Sequence, residues 1–198
     1  MMVILETVRP FLNLRTAGTK QDLPSASHPS FLMIQSPASN SGLILRLLLE
    51  KADSVKSAIE ILKSIPIASS QTYMLADKSG HIAYVECSPE HMETAEYKDG
   101  RHCLISTNRF ILPGMQPYSI TVDDDWNAVA RHEAIETVLS EHSEWNLSVM
   151  REALVSASSY DTATGHDTVW TVIEDMNAGQ GYLYEGNPSA SSCIKTNL

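Results

Sequence analysis

The chain has 198 residues, 43% hydrophobic and 19% charged, enough for one sizeable core and ordinary for a soluble globular domain. Its 24 acidic against 14 basic residues give a formal net charge of −10, with no basic stripe interleaved with aromatics; such a surface repels phosphate backbones, and nucleic acid is excluded as an expected partner. The longest stretch free of Asp, Glu, Lys and Arg, 23–45, is broken by Pro24, Pro29 and Pro37 and cannot supply the ~20 apolar residues of a spanning helix, so no membrane partner is expected.

Three cysteines, Cys87, Cys103 and Cys193, make neither a disulfide framework nor a metal-type spacing. They suit a reducing compartment. The opening Met-Met-Val-Ile-Leu-Glu lacks the basic start and apolar run of a signal peptide, which favours the cytoplasm.

In chain order, Val3–Leu5 and Phe11–Leu14 are short apolar pieces with the character of strand remnants. Residues 25–41 are nearly charge-free, Ser/Pro-rich and without a period, and read as a loop or insertion. A helix is expected over 43–51. Asp53 is then the expected N-cap of a second helix over 55–63, whose Val55, Ala58, Ile59 and Leu62 share one face. Strands over 72–76 and 81–86 flank the turn signal Asp77-Lys78-Ser79-Gly80. Strands over 92–96 and 103–107, with Asp99-Gly100 turning between them, continue the meander. A loop over 113–125 leads to a helix over 126–140, with an apolar stripe of Ala130, Ala134, Ile135, Val138 and Leu139. A helix over 147–156 and strands over 168–174 and 181–185, joined by Asn177-Ala178-Gly179, close the chain. Helices and strands in this order predict an α+β fold.

Four segments together carry a family resemblance. They are the stretch 65–89 (Ile-Pro-Ile-Ala-Ser-Ser-Gln-Thr-Tyr through Val-Glu-Cys-Ser-Pro), Ser-Thr-Asn-Arg-Phe (106–110), Asp-Asp-Trp-Asn-Ala-Val-Ala-Arg (124–131), and Asp-Thr-Val-Trp-Thr-Val-Ile-Glu-Asp-Met (167–176) followed by Tyr-Glu-Gly-Asn-Pro (184–188). In order and spacing the chain resembles the N-terminal-nucleophile (Ntn) hydrolases that include the penicillin-forming acyltransferases and choloylglycine hydrolases, over roughly 42–190. The resemblance implies an αββα four-layer sandwich, of which this chain would hold a part. It also implies action on linear amide C–N bonds through a cysteinyl acyl-enzyme, with a small-molecule amide or acyl donor as partner and no cofactor or metal.

That chemistry needs a cysteine at a mature N-terminus, because the thiol attacks while the α-amine of the same residue, with a reference pKa of ~7.7–8.0, takes the proton. No cysteine precedes Cys87 in this sequence. The resemblance therefore implies a C-terminal portion without its nucleophile: 1–24 a truncated remnant, 25–41 the loop or insertion, and 42–198 the C-terminal part of the domain. A non-catalytic remnant of the same fold is the rival reading. Loss of strands from stacked sheets would expose edges and apolar faces, so the isolated chain is expected to self-associate.

Two site residues carry over from the resemblance. Asn108 matches the asparagine of Thr-Asn-x-Phe, an oxyanion-hole donor; a turn asparagine is the alternative. The family usually has histidine next, where this chain has Arg109. Arg131 matches the arginine of the Asn-Ser-x-x-Arg helix start, near the active site in the choloylglycine branch, with Ala128 replacing the serine. Its alternative is an exposed helical arginine pairing with Glu133 or Asp125. Asp123, Asp124 and Asp125 suit a helix start. His132, His142 and His166 include no pair at i, i+4 on one helix, against a metal site. Asn146-Leu147-Ser148 fits a glycosylation triplet by chance.

Asp22-Leu23-Pro24 would run almost directly into Gly42-Leu43 in the family pattern, so residues 25–41 are hypothesised to be a late insertion or translated non-coding sequence. Sequencing the transcript tests this. A message lacking those codons is expected if the stretch is artefact, and one retaining them through a stable protein refutes that origin.

Overall fold

A computed structural model describes residues 2–5, 41–77, 79–97, 103–107, 109–119, 127–158, 160–161, 166–175 and 178–197. Phe11–Leu14, residues 25–40, the Asp99-Gly100 turn, Asn108, Asp123–Asp125, Trp126 and Asn177 lie outside them. Helix and sheet are mixed, in an α+β arrangement. The chain divides into two compact units, one from 10–102 and 110–123, the other from 1–9, 103–109 and 124–198.

The first unit holds α1 (Ser41–Lys51), α2 (Val55–Ser64) and an antiparallel meander of β2 (Gln71–Ala76), β3 (Ile82–Cys87) and β4 (Met92–Tyr97). The apolar face of α2 is the expected one: Val55, Ala58, Ile59 and Leu62 are all buried. They form one core with Ile44 and Leu48 of α1 and with Tyr73, Ala83, Val85 and Cys87 of β2 and β3. The cap of α2 is Ser54, not Asp53: the Ser57 backbone N–H donates to Ser54 Oγ (3.3 Å), and Ser57 Oγ returns a bond from the Ser54 N–H (3.1 Å). Asp53 stands one residue too early to cap the amide of the helix's third residue and instead accepts from the Ser57 hydroxyl (2.9 Å). Asp77, at the hairpin turn, accepts the Val55 N–H (3.1 Å) and so ties the start of α2 to the meander. Gly80 closes that turn at φ +86°, where a side chain is disfavoured.

Residues 113–118 form a 3₁₀ helix where a plain loop was expected, with Pro113 pre-set for its first turn. It lies tight against β4: a Cβ on Gly114 would meet Glu93 Oε2 at 2.7 Å.

The second unit holds β1 (Met2–Leu5), α3 (Ala128–Glu141), α4 (Leu147–Ala157), the two-residue pair β5 (Tyr160–Asp161) and β6 (His166–Asp167), and β7 (Trp170–Asp175), β8 (Gln180–Glu185) and β9 (Cys193–Asn197). A four-stranded antiparallel sheet runs β1-β7-β8-β9, and α3 and α4 bury their apolar faces against Ile173, Tyr182 and Tyr184. Asn146, read as a chance triplet, is the N-cap of α4 and accepts the backbone N–H of Ser148 (2.9 Å) and Val149 (3.2 Å). Arg151 of α4 donates from Nε and Nη2 to the Pro188 carbonyl at 2.9 and 2.6 Å, anchoring the turn after β8.

Two expectations are corrected here. Residues 103–107 are irregular rather than a fourth meander strand; they leave the meander and belong to the second unit, where Ile105 packs on the α3–α4 core. The buried stripe of α3 is Ala128, Arg131, Ile135 and Leu139, with Ala130 exposed, because the aliphatic stem of Arg131 takes a place on the apolar face.

β3 is buried at every position. Ala83, Val85 and Cys87 face the helices, and Tyr84 and Glu86, on the opposite face, are buried as completely. A carboxylate there must be hydrogen-bonded. Glu86 accepts the backbone N–H of Ile111 (2.7 Å) and of Leu112 (2.9 Å). Burial raises its pKa above the usual glutamate value; the two amides and the Tyr84 hydroxyl pull it down, and Glu93, its cross-strand partner, raises it again. The native state then holds a proton that the unfolded chain gives up, so stability should fall as pH rises from the ordinary glutamate value through the raised one. Urea unfolding of wild type and Glu86→Gln from about pH 4 to about pH 8 checks this: the wild-type slope is expected and the variant should lose it.

Candidate active site

The Ser106–Phe110 motif begins in the second unit. Ile105 anchors it in the α3–α4 core, and Thr107 follows with its side chain buried. The Arg109 N–H donates to the Thr107 carbonyl (2.8 Å), a closure two residues apart. Asn108, between them in sequence, is outside the described residues.

In the same unit α3 starts at Asn127, which takes the left-handed conformation (φ 55°) that asparagine tolerates and gives no side-chain cap. One turn on, Arg131 is only 7% exposed. The alternative of an exposed arginine is therefore not what is found, and Glu133, on the solvent side, is two residues away, a spacing that does not face. The guanidinium is engaged here. His132 comes next. Burial holds its imidazole below the ordinary histidine value, Glu136 pulls it upward, Arg109 pushes it lower and Glu133 raises it. The Nδ1 atom of His132 is buried without a hydrogen-bond partner among the described residues.

None of the three cysteines forms a disulfide. Cys87 is 0% exposed, and burial pushes its thiol up to about 12, so it carries almost no thiolate near neutrality. Its Sγ–H donates to the Gln71 carbonyl (3.6 Å) in the core of the first unit. Cys103 is exposed on an irregular segment and Cys193 is half-buried at the start of β9. Among the described residues, no group of three His, Cys, Asp or Glu could hold a metal, and no helix is long and apolar enough to cross a membrane.

The family model described as acyl-coenzyme A:6-aminopenicillanic acid acyl-transferase matches residues 31–190. The chain belongs to that family. A search for individual curated relatives finds no match. The match spans all four segments quoted from the sequence, and it takes in Thr107, Asn108, Arg109, Arg131 and His132 of this acyltransferase-family chain.

Sequence reasoning passed over Thr107, although it stood inside the quoted motif, and set His132 aside as a failed metal ligand. It also passed over Glu86; a lone carboxylate inside Ile-Ala-Tyr-Val-Glu-Cys was the available signal.

Thiol accessibility provides the test. In native protein a thiol-directed reagent should label Cys103 readily and leave Cys87 untouched until denaturant is added, as peptide mapping by mass spectrometry would show. Native labelling of Cys87 would contradict the burial described.

Proposed function

We propose that this chain is the C-terminal portion of a cysteine Ntn amide hydrolase or acyltransferase, supplying the groups that follow the nucleophile in sequence. The observation that carries the reading is that residues 106–109 of the Ser-Thr-Asn-Arg-Phe motif and the arginine-bearing start of α3 fall in one compact unit inside the matched region. Each unit lays a helix pair on one face of an antiparallel sheet, which suits the αββα sandwich as the complete architecture.

In the proposed reaction the α-amine of a cysteine takes the proton of that residue's thiol as the sulfur attacks the carbonyl carbon of a linear amide. The S–C bond forms, the C–N bond breaks, and the departing amine leaves with that proton. Water or a second amine then attacks the thioester, forming a C–O or C–N bond and releasing the thiol. Asn108 donates from its side-chain amide to the oxyanion in both tetrahedral intermediates. Arg131 provides fixed positive charge nearby. The substrate class is a small acyl amide or acyl donor, without a cofactor, and the compartment is the cytoplasm.

Neither the buried thiol of Cys87 nor Cys103 and Cys193, both far along the chain, pairs with a free α-amine. The cysteine would come from residues outside 1–198. A non-catalytic remnant is the second reading, favoured by that same inertness of Cys87. An in-frame upstream segment encoding a cysteine-led strand supports the enzyme.

Two measurements decide. The 198-residue chain alone should not turn over acyl amides, and it should self-associate in sedimentation; robust turnover or a cooperatively melting monomer would count against the reading. In protein carrying the cysteine segment, Asn108→Ala should lower kcat by about 10²–10³. An undiminished rate would remove Asn108 from the oxyanion role.

A further inference from the structure

On the face of the meander turned away from α1 and α2, two carboxylates stand side by side. Glu86 of β3 and Glu93 of β4 are directly opposite in the antiparallel register, so both side chains project from the same face. The oxygens of Glu86 are already committed, Oε1 to the Ile111 N–H (2.7 Å) and Oε2 to the Leu112 N–H (2.9 Å). Glu93 Oε2 is buried with no hydrogen-bond partner among the described residues. A Cβ on Gly114 would stand 2.7 Å from that same oxygen, which therefore abuts the 3₁₀ helix. One carboxylate thus holds the start of the segment 111–118, and its neighbour bears on the segment's middle.

Other titratable groups around the pair are few among the described residues. β3 adds Tyr84, whose hydroxyl favours the charged form of Glu86. β4 adds Tyr97, further along the strand, and β2 places Thr72 opposite Glu86 and Met74 opposite Tyr84, neither of them ionisable. The segment itself carries Tyr118, stacked on His91 with ring centroids 5.3 Å apart. No lysine or arginine lies within 110–118 to offset a second negative charge. Like charges this close resist simultaneous ionisation, and burial already lifts the Glu86 pKa.

We propose that Glu86 and Glu93 form a proton-held latch on residues 111–118. With one proton between the two carboxylates the segment stays seated; when both ionise, it lifts while the rest of the first unit stays folded. Lifting gives Glu93 Oε2 the water it lacks when buried against Gly114. The inference is independent of the acyl-transfer reading. Its consequence is local, because the segment that moves continues directly from the Ser-Thr-Asn-Arg-Phe motif.

Amide hydrogen exchange read by mass spectrometry tests the latch in the 198-residue chain, with wild type and Glu93→Gln compared from about pH 5 to about pH 8 after correction for intrinsic exchange. In wild type the protection of 111–118 should fall with rising pH at up to about tenfold per pH unit, the slope of one released proton, while α2 stays more protected than the segment. Glu93→Gln, of the same shape but without the charge, should keep the segment protected and flatten the slope. Protection of 111–118 that does not vary with pH would overturn the latch. So would a Glu93→Gln protein with the wild-type slope, or a segment as protected as α2 at every pH, because no local opening would then precede global unfolding.

Discussion

A strand buried on both faces governs the first unit. β3 offers Ala83, Val85 and Cys87 to the helix pair, and it must also shield Tyr84 and Glu86 on the reverse side. A carboxylate so placed is tolerated only with donors built around it, and the chain folds residues 110–112 back to deliver two amides. Gln116 completes the arrangement by donating to the Phe110 carbonyl (2.8 Å). One buried charge thereby organises the chain just after the Ser-Thr-Asn-Arg-Phe motif. Removing the charge without removing its donors would leave two amides unsatisfied, a larger penalty than the lost attraction.

The chemistry of the family sets a different demand. A nucleophile that shares its residue with its own base needs an open thiol and an unblocked amine, both in reach of fixed oxyanion donors. Cys87 fails on the first count through burial alone. The described residues of the candidate site comprise a Thr107 carbonyl that accepts the Arg109 N–H, a buried arginine and an imidazole held below the ordinary histidine value by burial.

Much of the fold was legible in the sequence where packing and periodicity agree. The stripe of α2, the Asp77–Gly80 hairpin and the Leu147 start of α4 follow from the 3.6 and 2.0 periods and from turn chemistry. β9 was not legible, because Cys193–Asn197 is an edge strand with four exposed positions and no inward-facing alternation. Residues 103–107 misled for the opposite reason: Leu104, Ile105 and Thr107 have strand composition, but Ile105 is spent on a helical core instead of a ladder. In the α3 stripe Ile135 and Leu139 are buried as read, and Arg131 is buried where Ala130 was expected because an arginine was not counted as a core residue. At the site, Arg131 came from the motif match, while the buried Thr107 hydroxyl, without a partner among the described residues, could not be seen from sequence. Sequence shows which groups could bond, and only geometry shows which do not.

The seat of the 3₁₀ helix on β4 has a consequence for how this chain can change. Gly114 rests against Glu93 closely enough that even a methyl group would collide with the carboxylate. Glu93 is the cross-strand neighbour of Glu86, the residue that holds 111 and 112. The hydrogen atom at position 114 thus acts as a spacer of minimum thickness. A side chain at 114 is therefore accommodated only if the flexible end of Glu93 moves aside.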